Sequence, residues 1–238
     1  MPAYTLDIVA FTLFVVAWLL YEQILKRLKT GNHVNSNMRV LRGAWMRNMA
    51  NRDNRIMDGQ LLGNALNSAS FFASSNLLLI AAVAGVLFGG QGTWREIQGL
   101  EVLASTPRWM FEAKLALVLI TLARGLLDFI WSIRQLNYCL AAVGAAPLPG
   151  HPQGKAWGDA SAGLLNPALS AFNAGVRGYY FALSAAAWLL GPIPLIIAVI
   201  GSVWLLIWRQ TSSAASRAIV SLRDMVEARG DEPPQISE

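Results

Sequence analysis

Apolar runs of membrane-spanning length alternate with basic and polar stretches along this chain. The first run, Ile8 to Tyr21, extends at helical spacing to about residues 5–28. It opens on Asp7 and is followed by Lys26, Arg27 and Lys29, the polarity of an uncleaved anchor with its N-terminus outside and its basic end inside. Further runs occupy about 62–89, 109–140, 173–190 and 193–209. A helix needs about 20 apolar residues to cross a bilayer, so the last two runs sit at the short limit. Gly191-Pro192-Ile193-Pro194 separates them, because proline removes a backbone donor and disfavours helix in the preceding residue. They form either a hairpin or one kinked span. The hairpin is preferred, since it leaves Arg209, Arg217, Arg223 and Arg229 inside. The pattern predicts an all-α polytopic membrane bundle, one domain over residues 1–230 with four to five transmembrane segments and a cytoplasmic C-terminus.

The stretches between the runs carry the topology. Gly31 to Asn37 reads as a polar turn, and 38–58 as a basic amphipathic helix in the membrane interface, with Met38, Leu41, Trp45, Met49 and Ile56 on one face. Arg52 interrupts that face, either snorkelling to headgroups or meeting an acid such as Asp53 or Asp58. Eight basic residues between Lys26 and Arg55, against three acids from Glu22 to Asp58, place this segment in the cytoplasm. Gln91 to Pro107 is an exterior connector with a capping box at Thr93 and Glu96. Gly144 to Asn166, rich in Gly, Pro and Ala, reads as a loop. Thr211 to Ala228 is a second basic amphipathic helix, and 231–238 a disordered polar tail.

Polar residues inside the runs are the candidate chemistry. On the third run Lys114, Thr121, Arg124, Asp128, Ser132 and Gln135 fall within roughly 80° of helical arc. Small Gly125 and Cys139 share it, while Leu117, Leu119, Leu122, Leu126, Phe129 and Ile133 occupy the remaining surface. A charge at the bilayer centre costs at least about 2.5–3.5 kcal/mol, so Arg124 and Asp128 are expected to face protein or water, paired at i and i+4. The pair then either holds helices together or lines a pathway. On the second run Gln60, Asn64, Asn67, Phe71, Ser75 and Leu78 trace a stripe expected to face other helices, with Ala81, Gly85 and Gly89 as a small-xxx-small series. On the fourth, Asn173, Arg177, Tyr180 and Ser184 share a face, and Gly178, Ala182 and Ala186 form a second such series.

Composition agrees. Of the 238 residues only 14% are charged and 55% are hydrophobic, where a soluble protein carries about 25% charge. The net charge of +5 is explained by cytoplasmic loops facing anionic lipid headgroups, with no nucleic-acid partner. The single cysteine excludes an intrachain disulfide, and the sequence contains no Asn-X-Ser/Thr sequon. His33 and His151 have no partners at metal-ligand spacing. With no nucleotide loop or nucleophile motif, neither an enzyme nor a cofactor is expected.

Three segments, WMRNMANRDNRIMD (Trp45–Asp58), FIWSIRQLNY (Phe129–Tyr138) and FNAGVRGYYF (Phe172–Phe181), resemble the bacterial and plant membrane proteins grouped as domain-of-unknown-function family 599. The resemblance covers nearly the whole chain and implies a multi-pass membrane protein without implying an activity. The corresponding residues here include Arg47, Arg52, Arg55, Asp58, Arg134, Gln135, Asn137, Tyr138, Asn173, Arg177 and Tyr180, all at cytoplasmic helix ends in the expected topology. Arg124 and Asp128 lie outside this set.

Two functions fit. One is a homo-oligomeric channel or transporter in the inner membrane, favouring anions because arginines outnumber carboxylates at the inner helix ends. The other is a non-catalytic scaffold whose polar residues only bind helices to one another.

Overall fold

The computed structural model describes residues 4–28, 34–98 and 106–230. His33, the tail 231–238 and the middle of the connector expected on the exterior lie outside the described residues, as do the side chains of Thr93 and Glu96. Eight α-helices follow in order: α1 (Thr5–Leu28), α2 (Val34–Ala50), α3 (Ile56–Leu87), α4 (Gly90–Gln98), α5 (Arg108–Gly144), α6 (Gly154–Ala187), α7 (Pro192–Thr211) and α8 (Ala214–Gly230). No strand occurs among the described residues. Among the described residues four segments are long and apolar enough to cross a membrane: Thr5–Gln23, Ile56–Leu87, Arg108–Gly144 and Pro192–Ala228. Their outward surface is apolar, with Ile8, Leu19, Leu78, Ile120, Leu127, Ile197 and Ile200 all exposed. Such a surface suits lipid. The chain is a helical membrane bundle.

Two compact units divide it, one of Met1–Leu25, Ser70–Ile130 and Phe172–Leu206, the other of Lys26–Ala69, Trp131–Ala171 and Ile207–Glu238. In the first unit α6 and α7 are an antiparallel hairpin. Ser184 Oγ donates to the Ala198 carbonyl at 3.1 Å, and Ser202 Oγ, four residues on, donates to the Tyr180 carbonyl, four residues back, at 3.5 Å, so residue numbers rise on one helix as they fall on the other. A 3-10 turn at Trp188–Leu190 and Gly191, at φ 124°, reverse the chain. That backbone conformation suits glycine, which has no Cβ to clash. A hairpin rather than one kinked helix is therefore formed, while the fifth crossing expected over 173–190 is not among the four segments apolar enough to span.

The core of this unit lies where α5 meets α6. Gly178 abuts Gly125, and a Cβ on it would stand 3.2 Å from the Gly125 Cα. One member of the expected small-residue series thus admits a neighbouring backbone, as such series do. Beside it Phe129 is fully buried among Phe72, Phe172 and Tyr179. The Tyr179 hydroxyl donates to the Phe72 carbonyl at 2.8 Å, which satisfies the polar tip of that cluster.

The structure corrects three further expectations. The helix expected over 38–58 is two elements: α2 ends at Ala50, and Ile56 to Asp58 begin α3. Asn54 Oδ1 accepts from the Ile56 amide at 2.9 Å at the start of α3. Arg55 reaches back to the carbonyls of Met49 and Ala50 at the end of α2. The interfacial reading of α2 also changes, because Met46, Met49 and Ala50 are buried by protein, with α2 packed on α8, while Ile56 is exposed.

The loop expected over Gly144 to Asn166 is shorter than read, since α6 begins at Gly154. Its glycines had suggested breaks, but Gly158 makes a contact instead. A Cβ there would fall 2.6 Å from the Arg47 Cα, so the glycine lets α6 lie against the α2 backbone. Pro167 is accommodated inside α6.

The third correction concerns α3. Its stripe does not face the chain's own helices: Gln60, Asn64, Asn67, Phe71 and Leu78 are exposed and Ser75 is half-buried. A Cβ added at Gly85 would meet nothing within 4 Å. Periodicity identifies residues that share a face, but not the direction in which the face points.

Candidate functional site

In the first unit four charged side chains from three helices stand together. Arg124 and Asp128, one turn apart on α5, approach to 3.6 Å. Arg177 of α6 donates to Glu22 of α1, and its guanidinium lies 5.5 Å from the centre of the Tyr21 ring. Both Arg177 and Glu22 are near enough to act electrostatically on Asp128. The result is a series alternating in sign, Arg124, Asp128, Arg177, Glu22, whose charges sum to zero. Its middle members are enclosed, with 23% of the Asp128 side chain and 17% of Arg177 exposed, while its ends, Arg124 at 63% and Glu22 at 60%, are open.

That exposure corrects the arc expected on α5. Lys114, Thr121, Ser132 and Gln135 are buried as the periodicity required, with Gly125 and Cys139. Arg124 sits about 60° from Thr121 at the arc's edge, and its long side chain turns outward. Leu117, Leu122 and Phe129, expected on the remaining surface, are buried too, because α5 is enclosed on more than one side. Thr121 Oγ1 donates to the Leu117 carbonyl at 2.7 Å, whereas Ser132 Oγ and Gln135 Nε2 are buried without a partner among the described residues.

Sequence reading missed a second polar contact here. Asp7 of α1 accepts from the Trp188 indole at 2.8 Å, and the buried Lys114 ammonium stands 5.7 Å from the centre of the same indole. The signal for Asp7 was visible, as an acid at the head of an apolar run, but it served only the topology argument.

In the second unit the family-like residues divide into a fixed cluster and an open one. Asp58 is wholly buried and accepts through Oδ1 from Trp45 Nε1 at 2.7 Å and from Arg52 Nη1. Of the two readings of Arg52, the acidic partner is therefore correct. Arg55 donates to the Ala146 carbonyl at 2.7 Å and to the Pro147 carbonyl, tying the start of α3 to the loop after α5. Arg47 meets Asp159 of α6 at 2.9 Å. The cluster is a clamp of arginines on two carboxylates, Asp58 and Asp159, and several carbonyls near helix ends. By contrast Arg134, Asn137 and Tyr138 are exposed on α5, where Arg134 donates to the Tyr138 hydroxyl at 3.2 Å. Asn173 and Tyr180 are half-buried on α6 in the first unit.

A further arginine, Arg42 of α2, is buried with no acceptor for Nε among the described residues. Burial, with Arg39 beside it adding repulsion, pushes its guanidinium down to about 10.

These features define a polytopic helical membrane protein with an ion-pair series in one unit and an arginine clamp in the other. The family described as "Protein of unknown function, DUF599" matches residues 9–215, and the chain belongs to that family. No curated protein and no solved structure shows a significant match to the chain.

Proposed function

We propose that the chain is the subunit of an oligomeric membrane channel or transporter for small anions or acidic metabolites, with its conduit where copies meet. The observation that carries this reading is Arg124, charged, on a membrane-crossing helix and 63% exposed. Facing lipid it would cost at least about 2.5–3.5 kcal/mol, and a water column or a neighbouring copy removes that cost. An arginine on such a wall favours anions. The reading requires no catalytic step. It places the protein in the inner membrane with the N-terminus outside and α8 among anionic cytoplasmic headgroups. A reporter fused after residue 210 is expected to report from the cytoplasm, and a periplasmic signal would reverse that orientation.

The scaffold reading has its own support, since the two acids and two bases of the series neutralise one another. Flux in proteoliposomes, measured beside the amount of assembled protein, separates the two for Arg124→Gln, Asp128→Asn and the double variant. On a hydrated path each single variant assembles, while the double variant folds but loses flux and charge selectivity. If both single variants fail and the double restores assembly and flux, the pair is structural and the channel reading fails.

A further inference from the structure

The second unit holds a cavity of about 460 Å³ between α2 and α6, lined by Arg39, Gly163, Asn166, Pro167 and Ser170. Its lining groups are mainly donors. Arg39 contributes a guanidinium with no carboxylate within 4 Å among the described residues. Ser170 Oγ already accepts from Asn35 Nδ2 at 3.4 Å, which leaves its proton free to point elsewhere. Asn166 Oδ1 is buried without a partner, so its planar amide has only Nδ2 to offer the cavity. No acidic side chain lines the space. Pro167, inside α6, has no N–H for the Gly163 carbonyl, which leaves that acceptor without its helical partner.

We propose that this cavity binds a phosphate group, held by Arg39, Ser170 and Asn166. Three converging donors around a void suit an anion with several acceptor oxygens, and guanidinium binds phosphate through paired N–H bonds. An anion here also relieves the repulsion between Arg39 and the buried Arg42 one turn on. Two sources present the same chemistry, the phosphodiester of a lipid headgroup and free phosphate. This site is separate from the ion-pair series and does not depend on the transport reading.

The test uses the purified full chain in neutral detergent, with dissociation constants measured by thermophoresis. The probes are dioleoyl phosphatidylglycerol, dioleoylglycerol (the same chains without phosphate) and inorganic phosphate. The wild type is expected to bind phosphatidylglycerol at least about tenfold more tightly than dioleoylglycerol, with Arg39→Gln removing that margin and Ser170→Ala reducing it several-fold. Arg108, exposed on α5 and paired with Glu112, makes Arg108→Gln the control, expected to bind as the wild type does. Inorganic phosphate competing in the wild type and not in Arg39→Gln identifies free phosphate as a second source; no competition confines the site to the headgroup. Should Arg39→Gln not fold, Ser170→Ala and a cavity-filling Gly163→Met carry the test. Equal affinity for the two lipids, or unchanged affinity in those variants, overturns the proposal.

Discussion

Gly175 of α6 and Phe129 of α5 sit so close that a Cβ on the glycine would fall 2.7 Å from the ring's Cε1. The ring cannot easily yield, because it is fully buried and stacks at 15° on Phe72 with Phe172 and Tyr179 beside it. Gly175→Ala is therefore expected to lower stability by about 1–3 kcal/mol, the usual cost of overpacking. Gly85→Ala is the comparison, since nothing lies within 4 Å of its Cβ position. Thermal unfolding of both variants in detergent measures the difference, and equal midpoints would show that the aromatic cluster repacks freely.

Asp58 supports a second prediction. Its carboxylate is completely enclosed while 34% of Arg52 is exposed, so removing the arginine strands a buried charge. Breaking such a pair costs about 3–5 kcal/mol, whereas replacing both members is often neutral. Arg52→Gln should be strongly destabilised, and adding Asp58→Asn should recover much of the loss. Unfolding midpoints of the single and double variants decide it; a double variant no better than the single would mean that the Trp45 contact, not the ion pair, needs the carboxylate.

The bundle was legible because apolar run length and charge asymmetry are direct consequences of the bilayer as solvent. The hairpin was legible for a local reason: Gly191 and Pro192 stop a helix between two apolar runs. The first half of α6 was not. Glycine at 154, 158 and 163 has the same composition whether it breaks a helix or lets another backbone approach, and only the contact of Gly158 with Arg47 tells which. Likewise the Arg52–Asp58 pairing was one of two open readings. Arg55, grasping Ala146 and Pro147 some 91 residues away in sequence, left no local signal at all.

The revised face of α5 makes a labelling pattern. Ile120 and Leu127 are exposed at 56% and 62%, while Thr121 and Ser132 are fully enclosed. Single cysteines at 120 and 127 should react with lipid-phase probes, and cysteines at 121 and 132 should be protected. Native Cys139 is buried and can stay in place. Protection at 120 and 127 in reconstituted protein, with labelling in dilute detergent, would reveal a second chain covering this face. Labelling at 121 would contradict the packing of α5.

An enclosed middle member and an open end of the ion-pair series should respond unequally. Arg177 is enclosed, stands over Tyr21 and serves two carboxylates, Glu22 directly and Asp128 through space. Arg177→Gln leaves those two acids with Arg124 alone, so the local charge falls to a net negative one among partly buried groups. Loss of about 2 kcal/mol or more is expected, by analogy with broken buried pairs. Glu22 is 60% exposed, and solvent screens the charge that its removal uncovers, so Glu22→Gln should cost no more than about 1 kcal/mol. Neutralising Glu22 in the Arg177→Gln background removes the surplus negative charge and should return part of the loss. The measurement is the unfolding midpoint of the three variants at low and at high salt. Equal costs for the two single variants would mean that the series acts as separate surface pairs rather than as one connected set.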